Sequence, residues 1–328
     1  MNPPKYSVIV PAYNAGKTIG ACLDALTGQT VDAAENEVIV VDDGSRDGTG
    51  EIVKSYPVRY LRQPNRGPAA ARNHGAREAR ASTILFTDSD CVPSPDWIAE
   101  MTKPLADPAV VAVKGAYRTN QRSITARFAQ IEFEERFRLL ARARSIDMVD
   151  TYSAAYRLDV FRQAGGFDES FPFANNEDTE LSYKLSRMDR KMVFNPDAVV
   201  CHLNHPDSLG RYCRLKFWRG YWRMVVYRRY PDKMMKDSYT PQTLKLQILL
   251  LFLSFVWLPG VLFRPALFAY PLGVTLLLYG LSMAPFGLLA LRRDPLVGVA
   301  SPIFLSARAS SLGLGFLWGV ISRRKERP

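Results

Sequence analysis

Cysteine is scarce and scattered: the 328 residues hold four, Cys22, Cys91, Cys201 and Cys213, with no C-x-x-C pair. That excludes a disulfide framework and a zinc ribbon, and it suits a reducing compartment. Histidine is scarcer, with three in the chain. There is no G-x-x-x-x-G-K-[ST], and no G-x-G-x-x-G follows the first apolar run, so P-loop and dinucleotide-binding readings lose their main support. The N-terminus, MNPPKYSVIVPAYN, carries one early lysine and a short apolar stretch stopped by Pro11. It lacks the long apolar core and small-residue cleavage site of a signal peptide. Acidic residues are outnumbered, 32 against 43 Lys and Arg, leaving a net charge of +11.

The mean hydropathy of −0.11 averages two unlike halves. From Tyr6 to about Val200, short β-branched runs alternate with stretches of helical period, the pattern of βαβ units and a mostly parallel α/β sheet. Strands are expected at Tyr6 to Val10, Glu37 to Val41, Val58 to Leu61, Thr83 to Thr87 and Val110 to Val113. Helices are expected at Lys17 to Thr27, Gly48 to Ser55, Pro68 to Ala79 and Asp96 to Leu105. Ligands of such sheets bind beyond the carboxyl ends of the strands. Polar residues crowd those ends: Pro11 to Asn14, Asp42 to Thr49, Asn65 to Pro68 and Asp88 to Asp90. Asp, Asn, Gly and Ser also serve turns and helix caps, but four such clusters at one edge favour a composite site. Asp88-Ser89-Asp90 ends an apolar strand, and alternate residues of an extended chain share a side, so both carboxylates can face one hard cation, Mg²⁺ or Mn²⁺.

These segments resemble the family 2 inverting glycosyltransferases with a GT-A, Rossmann-like fold. The resemblance rests on VIVPAYN (8–14), EVIVVDDGSRDGT (37–49), NRGPAAARNHG (65–75), DSD (88–90) and NEDTELSYKL (176–185), in the family's order and spacing. It implies a nucleoside-diphosphate-sugar donor, with uridine the default base. Tyr13 would stack on the base and Asp43 hydrogen-bond it, while Pro11, Asn14 and Asp42 shape the pocket. Gly67 would allow close backbone approach, and Arg72 would lie near the donor sugar or phosphates. Asp88 and Ser89 would face the donor, and Asp88 with Asp90 would hold the metal. Asp178, with Glu177 beside it, would be the base that takes the acceptor's proton. His202 is a candidate further ligand, though a lone histidine is commonly structural. The processive members' Q-x-x-R-W is absent; Arg211-Tyr212-Cys213-Arg214-Leu215 departs from it, favouring a single transfer. Arg214 or Arg219 would neutralise the departing diphosphate. Residues 152–157 would form a small-residue shelf for the acceptor.

After this domain (1–205), residues 211 to 236 hold Arg211, Arg214, Lys216, Arg219, Arg223, Arg228, Arg229, Lys233 and Lys236 against Asp232 alone. Interleaved with Trp and Tyr and placed before apolar spans, this belt (206–243) is read as interfacial helices on anionic headgroups rather than a nucleic-acid surface. Residues 246–263 and 265–291 contain no Asp, Glu, Lys or Arg. Each is long enough to cross a bilayer, which takes about 20 residues. The charges flanking this hairpin put both its ends in the cytosol, with the catalytic domain at the cytoplasmic face of the cell membrane. Val297 to Ile321 is expected as a re-entrant or interfacial helix, since a crossing would put the basic tail at 323–327 outside and leave Arg308 at a costly depth. Residues 118–150 are expected to form an amphipathic helix over the acceptor side. The composite reading is a membrane-anchored, metal-dependent transferase acting on a lipid-borne acceptor, a polyprenyl-phosphate or lipid-linked glycan. Alternatives are a metal-dependent nucleotidyl- or phosphotransferase and an inactive membrane scaffold.

Overall fold

The computed structural model describes residues 3–171, 173–235 and 237–322. The first elements are β1 (Tyr6–Ala12), α1 (Ile19–Thr27), β2 (Asn36–Asp42), α2 (Thr49–Lys54), β3 (Arg59–Arg62), α3 (Pro68–Glu78) and β4 (Thr83–Phe86). Then come β5 (Cys91–Pro93), α4 (Trp97–Thr102), β6 (Val110–Arg118), α5 (Ile124–Leu140), β7 (Ala154–Arg157), α6 (Leu158–Gln163), α7 (Glu177–Arg187) and β8 (Lys191–His202). The strands form one sheet in the order β3-β2-β1-β4-β7-β6-β8-β5.

The first four strands in that order run parallel, as the apolar runs VIV and VIVV suggest for strands covered on both faces. Beyond β4 the sheet is mixed: β7 is antiparallel to both neighbours, β6 and β8 are parallel, and β5 is antiparallel to β8. The mostly parallel expectation therefore describes the first half only. Residues 152–157 are not an open shelf, because Ala154, Ala155 and Tyr156 are fully buried in the central strand β7. Two apolar clusters cover the two faces, one around Ile9, Ile39 and Phe86, the other around Val8, Val40 and Leu85. This alternation along β1, β2 and β4 fixes the strands' rotation and directs their carboxyl ends to one edge.

Among the described residues five helices follow: α8 (Leu209–Arg229), α9 (Pro231–Met235), α10 (Gln242–Phe263), α11 (Pro265–Arg293) and α12 (Pro295–Ile321). The last three are long and apolar enough to cross a membrane. The third apolar segment is one uninterrupted helix, with no re-entrant break among the described residues. Its Arg308 turns into protein, with Nη1 3.3 Å from Glu132 and Nη2 2.9 Å from Gln247. The basic tail and Lys236 lie outside the described residues.

The belt is only partly a surface feature. Lys216 is buried on Glu132 at 2.8 Å, Arg229 pairs with Asp168 at 2.6 Å, and Arg228 donates to the carbonyl of Gly319. Part of α8 is also covered by α12, which packs along it through small residues. A Cβ at Gly315 would collide with the carbonyl oxygen of Phe217, and one at Gly220 with that of Leu312. Gly315→Val is expected to part the two helices and lower stability by about 1–3 kcal/mol. The check is a lower thermal midpoint in detergent, with faster proteolysis after α9.

Candidate active site

The carboxyl ends of β1, β2 and β4 open into a groove of about 1150 Å³, whose walls include the loops before α3 and α7 and one face of α8. It gathers Pro11, Tyr13, Asn14, Asp43, Gly67, Arg72, Asp88, Ser89, Asp90, Glu177, Asp178, His202, Arg214 and Arg219. Asp42 is absent from its lining. That carboxylate lies beneath, accepting from the Ser45 backbone at 2.8 Å and the Tyr60 hydroxyl at 2.6 Å. Asp42 therefore shapes the turn after β2, and these bonds hold it below the usual carboxylate range although burial works the other way.

At one end the Tyr13 ring is half exposed. Asn14 bonds the turn after β2 twice, to the Ser45 hydroxyl and from the Arg46 backbone, each at 2.9 Å. Asp43 accepts from Gln63 and from the backbone of Arg66 and Gly67 at 2.8–2.9 Å. Gly67 takes φ +92, a conformation that glycine adopts without a Cβ penalty. It lets the chain wrap the Asp43 carboxylate before Pro68 opens α3.

Arg72, carried by α3, is the cross-beam. It is 2% exposed and reaches Asp88 at 2.7 Å and Glu177 at 2.8 Å. It therefore ties the carboxyl end of β4 to the amino end of α7. Burial pushes the Glu177 carboxyl up to about 7, with the neighbouring Asp178 charge adding to this and Arg72 opposing it. Asp178 is also raised by burial, against a 2.6 Å bond from the Thr179 backbone. It retains partial exposure toward the groove. A carboxylate with raised proton affinity beside an open groove has the properties of a general base.

The candidate metal centre differs from the simple alternate-residue picture. Asp88 turns to Arg72, while Asp90 Oδ1 lies 3.8 Å from His202 Nε2. The pairing of β5 with β8 brings His202 opposite Cys91, beside Asp90. Burial raises the Cys91 thiol well above its ordinary value, so it stays protonated and is a poor ligand for a hard cation. One carboxylate and one imidazole at the groove fit Mn²⁺ or Mg²⁺, leaving coordination positions for phosphate oxygens. His205 is structural: it is buried against Tyr117, and desolvation pushes it down to about 3.

Three functional candidates escaped the sequence reading. Asp150 lines the groove while paired with the buried Lys114. Trp218 lines it from α8, and Arg223 lies one turn beyond Arg219. Asp150 stands outside every motif; Trp218 and Arg223 were visible only as members of the basic, aromatic belt.

A mixed sheet with acidic strand ends facing a helix-borne acidic pair defines a domain of GT-A type. Residues 7–165, a little under half of the chain, match the family model "Glycosyl transferase family 2". Among curated relatives it is 27% identical over 214 residues to glycosyltransferase AglE of Haloferax volcanii, covering 62% of this chain and 68% of that protein. It is 26% identical to the pre-mycofactocin glycosyltransferase of Mycobacterium tuberculosis, covering 69% and 48%. Among solved structures, the mannosyltransferase PcManGT of Pyrobaculum calidifontis, in complex with GDP-Man and Mn²⁺, superposes with a TM-score of 0.64 at 20% identity. That match covers 99% of this chain and 89% of that one. S. aureus TarS 1–349 in complex with UDP-GlcNAc gives 0.52 at 18% identity, covering 96% and 91%.

Replacing Arg72 by Met leaves two buried-side carboxylates without their cation and is expected to cost about 3–5 kcal/mol. Chemical unfolding in detergent checks this. Asp90→Asn is expected to abolish saturable Mn²⁺ binding, followed by electron paramagnetic resonance; unchanged binding would remove Asp90 from the metal site.

Proposed function

We propose that the protein transfers one sugar, with inversion, from a nucleoside-diphosphate sugar to an acceptor carried by a membrane lipid, at the cytosolic face. The carrying observation is that Asp178 and the Asp88–Asp90 segment after β4 border one groove, while Arg72 ties Asp88 to Glu177, the residue next to Asp178. In this reading the donor base stacks on Tyr13 beside Asp43, and its diphosphate extends toward Asp90, His202 and the arginines of α8. A divalent cation bound by Asp90 and His202 would neutralise the diphosphate as it leaves.

The acceptor oxygen attacks the anomeric carbon from the side opposite the diphosphate. The new bond is acceptor oxygen to carbon; the bond from carbon to the diphosphate oxygen breaks, and its electron pair leaves with the nucleotide. A hydroxyl acceptor gives its proton to Asp178. Arg214 and Arg219 supply fixed positive charge along the leaving group's path. Three apolar helices joined to the catalytic domain support delivery from a bilayer, where anchoring raises the effective acceptor concentration.

The test offers detergent-purified protein Mn²⁺, a panel of radiolabelled UDP- and GDP-sugars, and either polyprenyl-phosphate or total lipid extract. Wild type is expected to move label into the lipid phase. With a hydroxyl acceptor, Asp178→Asn is expected to lose about 10²- to 10⁴-fold in rate. Because the base must be ionised and its proton affinity is raised, kcat/KM should climb with pH through that ionisation, at higher pH than for an ordinary carboxylate. Release of labelled sugar 1-phosphate would instead indicate nucleotidyl transfer, and neither transfer nor donor hydrolysis would favour a scaffold.

A further inference from the structure

A second cavity, of about 320 Å³, lies behind Asp178 and shares Asp150, Asn175, Asp178 and Arg219 with the donor groove. Its far side is formed by the apolar helices, with Leu244 and Ile248 from α10 and Leu312 and Phe316 from α12. It therefore runs from the proton-accepting carboxylate to the helices long enough to cross a membrane.

The charges on its wall are unevenly matched. Arg136 and Lys216 are bound to Glu132, and Lys245 donates to the carbonyls of Met234 and Met235. Asp150 is held by Lys114. Arg219 and Arg223 have no carboxylate within ion-pair distance among the described residues; Arg223 donates to the Tyr183 hydroxyl at 3.1 Å, while Asp178 and Asp237 act on it only at longer range. The two arginines are four residues apart on α8, so they share a face. Partly buried cations without a counter-charge carry a desolvation cost that an anion between them would offset.

We infer that this cavity is the acceptor subsite and takes a single-chain lipid phosphate. Its phosphate sits between Arg219 and Arg223, and its hydrocarbon leaves between α10 and α12. This deepens the reading given under Proposed function and rests on it. The volume is at the small end of ligand pockets, ~300–1,000 Å³, which suits a phosphate with the start of one chain rather than a two-tailed phospholipid head. Polyprenyl phosphates and diphosphates combine these properties. If the monophosphate is the nucleophile, an already ionised phosphate oxygen attacks and Asp178 receives no proton. If a sugar on a lipid diphosphate is the nucleophile, its hydroxyl attacks and gives its proton to Asp178. In both, the carbon–oxygen bond to the donor diphosphate breaks and its electrons leave with the nucleotide.

The experiment has two readouts on the full chain in detergent. In equilibrium binding of radiolabelled farnesyl phosphate, wild type is expected to bind saturably, Arg223→Gln at least 10-fold more weakly, and Arg223→Lys in between. Farnesol should compete at least 100-fold less well than unlabelled farnesyl phosphate. Equal binding by wild type and Arg223→Gln, or equal competition by farnesol, overturns the proposal whether or not transfer is seen. In the transfer assay, Arg223→Gln is expected to raise the KM for the lipid phosphate at least 10-fold and leave the KM for the donor within twofold. A raised donor KM with an unchanged acceptor KM would reassign Arg223 to the leaving group and overturn the subsite. Transfer to a soluble glycoside as efficient as to the lipid phosphate would overturn it too, leaving the glycosyltransferase reading intact. Saturable, Arg223-dependent binding without transfer to any acceptor would uphold the subsite and count against the transferase reading. Comparing farnesyl phosphate with a farnesyl-diphosphate-linked sugar as acceptors, each with Asp178→Asn, separates the two sources of the phosphate.

Discussion

Glu132 is completely buried, and its two oxygens receive Lys216, Arg136, Arg308 and the Tyr212 hydroxyl at 2.8–3.3 Å. These partners come from α5, α8 and α12, and Arg308 also reaches Gln247 of α10. One carboxylate thus joins the GT-A domain to α12 directly and, through Arg308, to α10. Three cations around it overcompensate its charge and hold Glu132 well below the usual carboxylate range despite burial. The excess positive charge is shared with neutral acceptors and rings: Arg308 onto Gln247, and Arg136 onto the Tyr239 hydroxyl and over its ring. Such clusters cost desolvation energy, and their best-attested benefit is a fixed geometry. The geometry fixed here is the position of α8, which carries Arg219 to the groove one turn beyond Lys216.

Arg72 plays the corresponding part inside the catalytic domain. The segment after β4 that holds Asp88 and the helix that starts at Glu177 are far apart in sequence, and the distance between them sets the width of the groove. A fully buried guanidinium with two separate carboxylate partners sets that distance through directional bonds. The alanine-rich start of α3, Ala69-Ala70-Ala71, is buried and lets this helix approach the sheet closely enough for Arg72 to reach both.

Much of this was legible in the sequence where one physical signal dominated. The apolar runs of β1, β2 and β4 and the helices α1 and α3 lie within two residues of expectation, because strand alternation and the Gly67-Pro68 start leave little freedom. The candidates that follow β1 to β4, Asp42 excepted, line the groove because these parallel strands end at the same edge. What stayed hidden depended on contacts between distant segments. Glu132 sits among charged residues of a sequence that reads as a solvated helix face, and Lys216 sits in a basic belt; no local pattern says that these two meet. β5 is three residues and β7 four, too short to show a period, and the alanines of β7 resemble a loop more than a central strand. The continuity of α12 was obscured by Arg308, which turns onto Glu132 and Gln247 of other helices.

The pairing of β5 with β8 has a consequence for how the fold can be monitored. Asp90 immediately precedes β5, and His202 is the last residue of β8, set opposite Cys91 in an antiparallel register. Side chains alternate along a strand, so a slip of one residue would replace the His202 imidazole with the Cys201 side chain on the neighbouring position and dismantle the candidate metal site. The spacing of Asp90 and His202 is thus a vernier for the far edge of the sheet. A bound paramagnetic ion would report, from one spectroscopic signal, whether that last strand had zipped up in its native alignment.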